Sequence, residues 1–242
     1  MRSHRFYADI SLTPGATIDL PSDAAHHCSQ VLRYQVSDPL TVFNGDGFDY
    51  QAVIKSINKK TCQIEILQKL SLSNESPLSV HLIQGIARGD KMDFIIQKAV
   101  ELGVHEITPL FTERCNVKLD AKRLAKKMQH WQKVIISACE QSGRAKLPVL
   151  NQPINIENLQ LSNTATSIML EPTASESISS LPINLSVNLL IGPEGGFSER
   201  DLSSANQLNI QSVRMGPRIL RTETAGLSAL AILQSRLGDL SL

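Results

Sequence analysis

Two segments of this chain combine glycine, apolar walls and clustered polar groups at spacings that suit ligand chemistry. The first, Leu189-Leu190-Ile191-Gly192-Pro193-Glu194-Gly195-Gly196-Phe197-Ser198, leaves an apolar run and enters a segment with helix-start residues. Its three glycines permit positive φ and let backbone N–H and C=O groups approach a ligand closely. The second runs from Met215-Gly216-Pro217-Arg218 through Ile219-Leu220-Arg221-Thr222 to Glu223-Thr224-Ala225-Gly226. It joins a glycine turn, an Ile219-Leu220 wall and polar groups at a helix start. Neither segment is a phosphate cradle of the GxxxxGK[ST] type, and neither matches GxGxxG with an acidic residue about 20 positions on. Main-chain recognition suits a neutral adenine edge and an apolar thioether instead.

Such loops work only if a sheet presents them together, because open parallel sheets bind ligands at the carboxyl ends of their strands. The second half of the chain supplies the pattern. Val80–Gln84 reads as a strand, and Met92, Ile95, Ile96, Ala99 and Leu102 step at helical spacing until Gly103 stops them. Ile107–Phe111 is the next strand. A long amphipathic helix then starts from a cap at Asp120, carries Leu124, Met128, Trp131, Ile135 and Ala138 on one face, and ends at Gly143. Strands at Ile168–Leu170, Val187–Ile191 and Ser212–Met215 alternate with helices from Ser198 and through Leu237, which predicts an α/β domain with a mostly parallel sheet covered by helices.

The first seventy-odd residues differ. Ala16–Leu20, Leu40–Phe43, Gln51–Ile57 and Cys62–Leu67 are short strand-like runs separated by Pro14-Gly15 and Asn44-Gly45-Asp46-Gly47, the pattern of a small barrel. One helix over residues 23–33, capped by Ser22 or Asp23, is expected to place His27, Val31 and Leu32 near one face. The polar stretch from Ser71 to Pro77 divides the chain into residues 1–72 and 77–242.

Composition narrows the function. The 242 residues are 42% hydrophobic and 19% charged, enough for a real core and too ordered in character for a disordered chain. No window reaches the roughly 18 uninterrupted apolar residues of a membrane span. Met1-Arg2-Ser3-His4-Arg5 is not followed by an apolar signal core, so a cytoplasmic location is expected. Cys28, Cys62, Cys115 and Cys139 form no CxxC pair and the histidines show no HExxH spacing, which argues for reduced thiols and against a metal enzyme. Net charge is +1, yet between Arg114 and Lys146 nine lysines and arginines face only Asp120 and Glu140. That block reads as a footprint for a polyanion or as a solvated helix face.

The paired segments resemble the signature of the RsmE family, SPOUT-superfamily methyltransferases that modify N3 of a uridine near the 3′ end of 16S ribosomal RNA, in the decoding region. Arg5-Phe6-Tyr7, Val31-Leu32-Arg33, Gln97-Lys98-Ala99-Val100-Glu101-Leu102-Gly103 and Cys139-Glu140-Gln141-Ser142-Gly143-Arg144 are similar to further motifs of the family, in the same order. Met215 replaces a common leucine with nearly conserved volume. The resemblance implies a deep trefoil knot in the C-terminal domain, a PUA-like RNA-binding N-terminal barrel, and S-adenosylmethionine bent in the knot loops of a homodimer whose partner completes the site. It assigns cofactor contact to Leu190, Ile191, Gly192, Pro193, Gly195 and Gly196 in the first loop. In the second it assigns Met215, Gly216, Ile219, Leu220, Arg221, Thr222, Thr224 and Ala225, with Leu170 and Glu171 lining the same pocket.

Uridine N3 carries a proton at neutral pH and lies on the Watson–Crick edge, so the base must be unpaired or extruded. Positioning and stabilisation of a developing uridine anion should carry the rate. Arg221 is the candidate for that electrostatic role; the alternative is an arginine that pairs with Glu223 or Glu194 as a brace. Glu194 and Glu223 are candidate proton acceptors or simple helix-dipole partners. Arg5, Arg33, Arg88, Lys91, Arg114, Arg144 and Arg218 are candidates for RNA phosphates, the contacts expected to dominate in a chain with 4% aromatic residues. The expected substrate is 16S ribosomal RNA in the assembled small subunit. Other readings are a ribose 2′-O or guanosine methyltransferase of the same superfamily, a non-catalytic assembly factor, and an NTPase-like protein that the missing lysine disfavours.

Overall fold

A computed structural model describes residues 4–72, 74–115, 117 and 120–240. Ser73 of the dividing stretch and Lys118 of the basic block lie outside the described residues. The chain forms two compact units. One holds Met1–Glu75 together with Cys139–Leu147, the other Ser76–Ala138 together with Pro148–Leu242.

The first unit is built on a five-stranded sheet in the order β1-β3-β4-β5-β2, with β1 (Arg5–Tyr7), β2 (Thr17–Asp19), β3 (Pro39–Phe43), β4 (Phe48–Ile57) and β5 (Cys62–Ser71). Alternation sends Leu40, Val42, Tyr50, Ala52, Ile54, Cys62, Ile64 and Ile66 into one core. Register shifts between Gln51 and Ala52 and between Ile54 and Ser56 mark bulges that bend the two long strands around it. The helix expected over residues 23–33 is shorter and differently wound. Helix α1 (Ser22–His26) starts from Pro21 without a side-chain cap, then gives way to a π-turn over His27–Val31. The extra residue in that turn rotates the buried face, so Ala25 and Cys28 enter the core while His27 and Val31 face solvent.

Two motifs far apart in the sequence meet in this unit. The Arg5 guanidinium bonds both Asp49 oxygens at 2.6 and 3.0 Å and donates to the Cys139 and Arg144 carbonyls at 2.7 and 3.2 Å. The Tyr7 N–H donates to Glu140 at 2.9 Å. Burial pushes the Glu140 carboxyl above its usual range against the opposing pull of that N–H. Arg144 is only 4% exposed and pairs with Glu75 at 2.7 Å. The expectation that Arg5 and Arg144 meet RNA is therefore corrected: both guanidiniums are turned inward onto protein partners.

The second unit is a parallel α/β domain. Its strands are β6 (Ser79–Gly85), β7 (Glu106–Phe111), β8 (Val149–Leu150), β9 (Ile154–Asn155), β10 (Thr166–Leu170), β11 (Ser186–Ile191) and β12 (Gln211–Val213). They lie in the order β12-β10-β11-β6-β7-β8, with β9 also on β7, and every pairing is parallel. Helix α5 (Thr222–Leu237) packs on β6 and β11, and α2 (Lys91–Glu101) packs against α5. On the opposite face, Ile83, Met169 and Leu190 pack with Phe197 and with Ala205 of α4 (Glu199–Gln207). Ser198 caps α4 in a reciprocal box with Asp201. The amphipathic α3 (Ala121–Ser142) starts where Asp120 accepts from the Arg123 N–H at 2.7 Å, and it buries Trp131, Ile135 and Ala138. Strand β12 ends at Val213, two residues short of the expected Met215, and Arg214 leaves it to bridge Ser177.

Removing Arg144 leaves the half-buried Glu75 carboxylate without this partner. Arg144→Ala is expected to lower stability by about 3–5 kcal/mol, read as a shift in the urea midpoint. An unchanged midpoint with weakened RNA binding would return Arg144 to the surface.

Candidate functional site

The strand order decides where the site forms. Strand β10 lies between β11 and β12, so the two glycine-bearing loops do not leave neighbouring strands; they converge over the carboxyl end of β10. Between them is a cleft of about 340 Å³. Leu170, Glu171 and Pro172 come from the end of β10, Ile191 to Phe197 from the β11 loop, and Val213, Met215, Gly216 and Arg218 to Leu220 from the β12 loop. Thr222 and Ala225 of α5 close it.

One hydroxyl ties the loops together. The Thr222 Oγ1 donates to the Gly192 carbonyl at 2.6 Å and accepts from the Gln84 Nε2 at 2.9 Å. Thr222 is buried and Gln84 fully so; the Gln84 amide also donates to the Gly85 carbonyl at 3.0 Å. The end of β6, the first loop and the start of α5 thus share one hydrogen-bonded node. Gly85 sits against it so closely that a Cβ there would lie 2.5 Å from the Pro193 nitrogen, inside any tolerable contact. Gly196 and Gly216 bend the two loops at φ of +66° and +71°, with open space where a side chain would project.

Of the residues expected to touch a cofactor, Leu190, Arg221 and Thr224 do not line the cleft. Leu190 points to the α4 side, because alternate residues of a strand face opposite ways and Ile191 faces the other. Thr224 is turned to solvent: Thr222 and Ala225, three apart, share the inner face of α5, and Thr224 lies two residues, about 200°, around from Thr222. Arg221 occupies the position before α5, where its carbonyl accepts from Thr224 and Ala225 at 2.9 and 2.8 Å and its side chain is exposed. Pro172, Phe197 and Val213 also form the wall, and Gln84 and Gly85 the node beneath it, none of them among the residues expected from the sequence. Gly85 directly after an apolar run was the available sign of the last two.

The carboxylates are held by a lysine, not by Arg221. Lys91 Nζ lies 3.6 Å from Glu194 and 3.4 Å from Glu223. Glu194 also accepts the Arg88 backbone N–H at 3.1 Å. Burial raises the Glu194 carboxyl, but that N–H, its own N–H and Lys91 outweigh burial and hold it below the usual glutamate range. Glu194 lines the cleft whereas Glu223 does not, and the Glu223 Oε2 is buried without a hydrogen-bond partner among the described residues. Lys91, one of the residues expected to meet RNA, is thus paired with two carboxylates while its side chain stays 35% exposed. Arg114 and Arg218 are exposed at the cleft rim, with Arg114 donating to the Gly195 carbonyl at 3.3 Å. Arg88 is exposed and its backbone N–H meets Glu194, and Arg33 is exposed on the first unit at φ +53°. Among the described residues no cluster of His, Cys, Asp or Glu could hold a metal ion, and no helix is long and apolar enough to cross a membrane.

A parallel domain with a main-chain-lined cleft over three strand ends matches the family model described as an RNA methyltransferase domain over residues 74–234; residues 20–67 match an RNA methyltransferase PUA domain. The chain is 40% identical over 243 residues to the ribosomal RNA small subunit methyltransferase E of Buchnera aphidicola subsp. Schizaphis graminum, covering 99% of each. A methyltransferase from Legionella pneumophila, solved in complex with bound SAM, is 40% identical with a TM-score of 0.95, covering 99% of this chain and 100% of that one. The Neisseria gonorrhoeae ribosomal RNA small subunit methyltransferase E, solved bound to S-adenosyl methionine, is 37% identical with a TM-score of 0.93 and the same coverage. The chain belongs to the ribosomal RNA small subunit methyltransferase E family.

Two outcomes test the geometry. Thr222→Val keeps the shape but strips Gly192 and Gln84 of a buried partner, so stability should fall by about 1–3 kcal/mol in chemical denaturation; a neutral result would deny the node. Because the folded Glu194 pKa is depressed, its contribution is present above the unfolded carboxylate pKa and lost as pH falls through the lower folded value. Lys91→Met should move the Glu194 titration upward by carboxyl NMR, and an unmoved titration would remove the bridge.

Proposed function

We propose that this chain methylates N3 of a uridine in 16S ribosomal RNA, using S-adenosylmethionine held in the cleft over β10. The observation that carries this reading is the convergence of the two loops and the β10 end, clamped by Thr222. The residues present fit the group: Leu170, Ile191, Met215 and Leu220 offer apolar wall, and the glycine bends leave backbone groups open to it. Gly192, Pro193, Gly195, Gly196, Gly216, Ile219, Thr222 and Ala225 would hold it with them, and Glu171 faces the same space. S-adenosylmethionine supplies an electrophilic methyl group when bound.

The chain's own residues must hold the base, exclude water and favour loss of the N3 proton. Arg221 stands at the start of α5 with its side chain free of any carboxylate among the hydrogen bonds and ion pairs described, so its charge is available to a developing uridine anion. Glu194, held as a carboxylate of low basicity by Lys91 and backbone N–H groups, is a poor proton acceptor. Arg114, Arg218 and Arg88 present charge to RNA phosphates from the rim. The trefoil knot belongs to this reading, supported by the close crossing of Gly85 and Pro193.

The working form is a cytoplasmic homodimer acting on the assembled small subunit. Helix α5 carries apolar residues on every side, with Leu227, Ala231 and Ile232 half-covered, and Phe94 on α2 is 47% exposed. A helix apolar all round needs a covering surface, and a second copy supplies it. Calorimetry should register S-adenosylmethionine binding, and mass spectrometry of RNA from cells lacking the protein should locate the lost methyl on uridine N3. Loss of a ribose or guanosine methyl would overturn the target, and no binding heat would overturn catalysis. Arg221→Ala should reduce turnover at least 100-fold with cofactor affinity within about threefold; unchanged turnover would take Arg221 out of the mechanism.

A further inference from the structure

We infer that the basic groove between α2 and α3 is a second RNA-binding surface of this domain, a track for single-stranded phosphates that leads to the cleft. It rests on the RNA-methyltransferase reading and adds residues outside the cleft. The groove encloses about 490 Å³ and is lined by Asp90, Asp93, Arg123, Lys126, Lys127 and His130. At about 1.5 Å per residue the side chains from Arg123 to His130 form a stripe roughly 10 Å long on successive turns of one helix, three of them lysine or arginine.

The charge of Lys126 and Lys127 is not cancelled locally, and that of Arg123 is met only at its Nε. Asp120 lies 3.5 Å from the Arg123 Nε, but the Arg123 side chain is still 74% exposed. No ion pair is formed by Lys126 or Lys127 within the hydrogen bonds and salt bridges of the described residues. Of the two groove carboxylates, Asp93 is committed elsewhere: one oxygen meets His130 Nε2 at 2.6 Å and the other accepts the indole N–H of buried Trp131 at 3.1 Å. That anchorage fixes the His130 ring, 51% exposed, at the groove wall. A helix stripe of this kind is the electrostatic signature of a polyanion partner.

The groove also abuts the site. Asp90 lines it, and the next residue, Lys91, reaches Glu194 and Glu223 at the cleft. A strand delivering an unpaired uridine to the cleft would have its flanking phosphates beside α3, and the stripe adds cations to those of Arg114 and Arg218 at the cleft rim. An acidic protein segment would meet the same charges; RNA binding unchanged in the variant below is the outcome that gives the groove to such a segment instead.

The experiment compares wild type with the triple variant Arg123→Gln, Lys126→Gln, Lys127→Gln, using 16S ribosomal RNA lacking the methyl group as probe. Binding is measured across KCl concentrations, alongside S-adenosylmethionine calorimetry, steady-state methylation and thermal unfolding. For single-stranded contacts each lost cation removes about 0.7 from the salt slope, so the slope should fall by about 2 and affinity at low salt by 10- to 100-fold. KM for RNA should rise in step, with kcat, cofactor affinity and thermal midpoint held. RNA affinity and salt slope equal to wild type overturn the groove while leaving the methyltransferase reading intact. A wild type that binds neither RNA nor cofactor overturns both.

Discussion

A hydroxyl with two partners fixes the geometry on which the candidate site depends. Thr222 joins the Gly192 carbonyl to the Gln84 amide, and those groups come from three elements separated widely in sequence. The bonds lie in the interior, where an unmade hydrogen bond costs more than a made one contributes. The first loop therefore cannot drift from α5 without leaving buried polar atoms unpaired. Gly85 adds a steric limit from below, since no larger residue fits against Pro193. Two flexible glycine bends are thereby set as the walls of one cleft.

Electrostatics divide the labour between the cations nearby. Lys91 is consumed by Glu194 and Glu223 and acts as a strut between the first loop and α5. Arg5 and Arg144 serve the interior of the first unit in the same way. Arg221, Arg114 and Arg218 are left toward solvent around the cleft, and Arg123, Lys126 and Lys127 along α3. The distinction matters because an arginine with a buried carboxylate partner contributes to folding, whereas one facing water is free to meet an anion. Sequence position alone does not separate the two classes.

Much of the fold was legible in local pattern. Alternation and apolar runs located β3, β4, β5, β6, β7, β10 and β11, and helical spacing located α2 and α3 with Asp120 and Gly103 at their ends. The two loops stood out because glycine, proline and a helix start follow a buried strand. What escaped depends on three-dimensional order. That β10 lies between β11 and β12 is a property of long-range pairing, and so is the inward turn of Arg5 and Arg144. The sidedness of Leu190 and Thr224 follows from strand and helix periodicity and was open to reading. The π-turn at His27–Val31 follows from no local pattern that an amphipathic helix would not also satisfy.

Hydrogen–deuterium exchange of the full chain, with and without S-adenosylmethionine, bears most directly on the meeting of the loops. Ligand should slow exchange together in residues 170–172, 192–197 and 215–220, three peptides that adjoin only if both bends close over the end of β10. Protection confined to one of these peptides, or placed on a different part of the chain, would contradict the account.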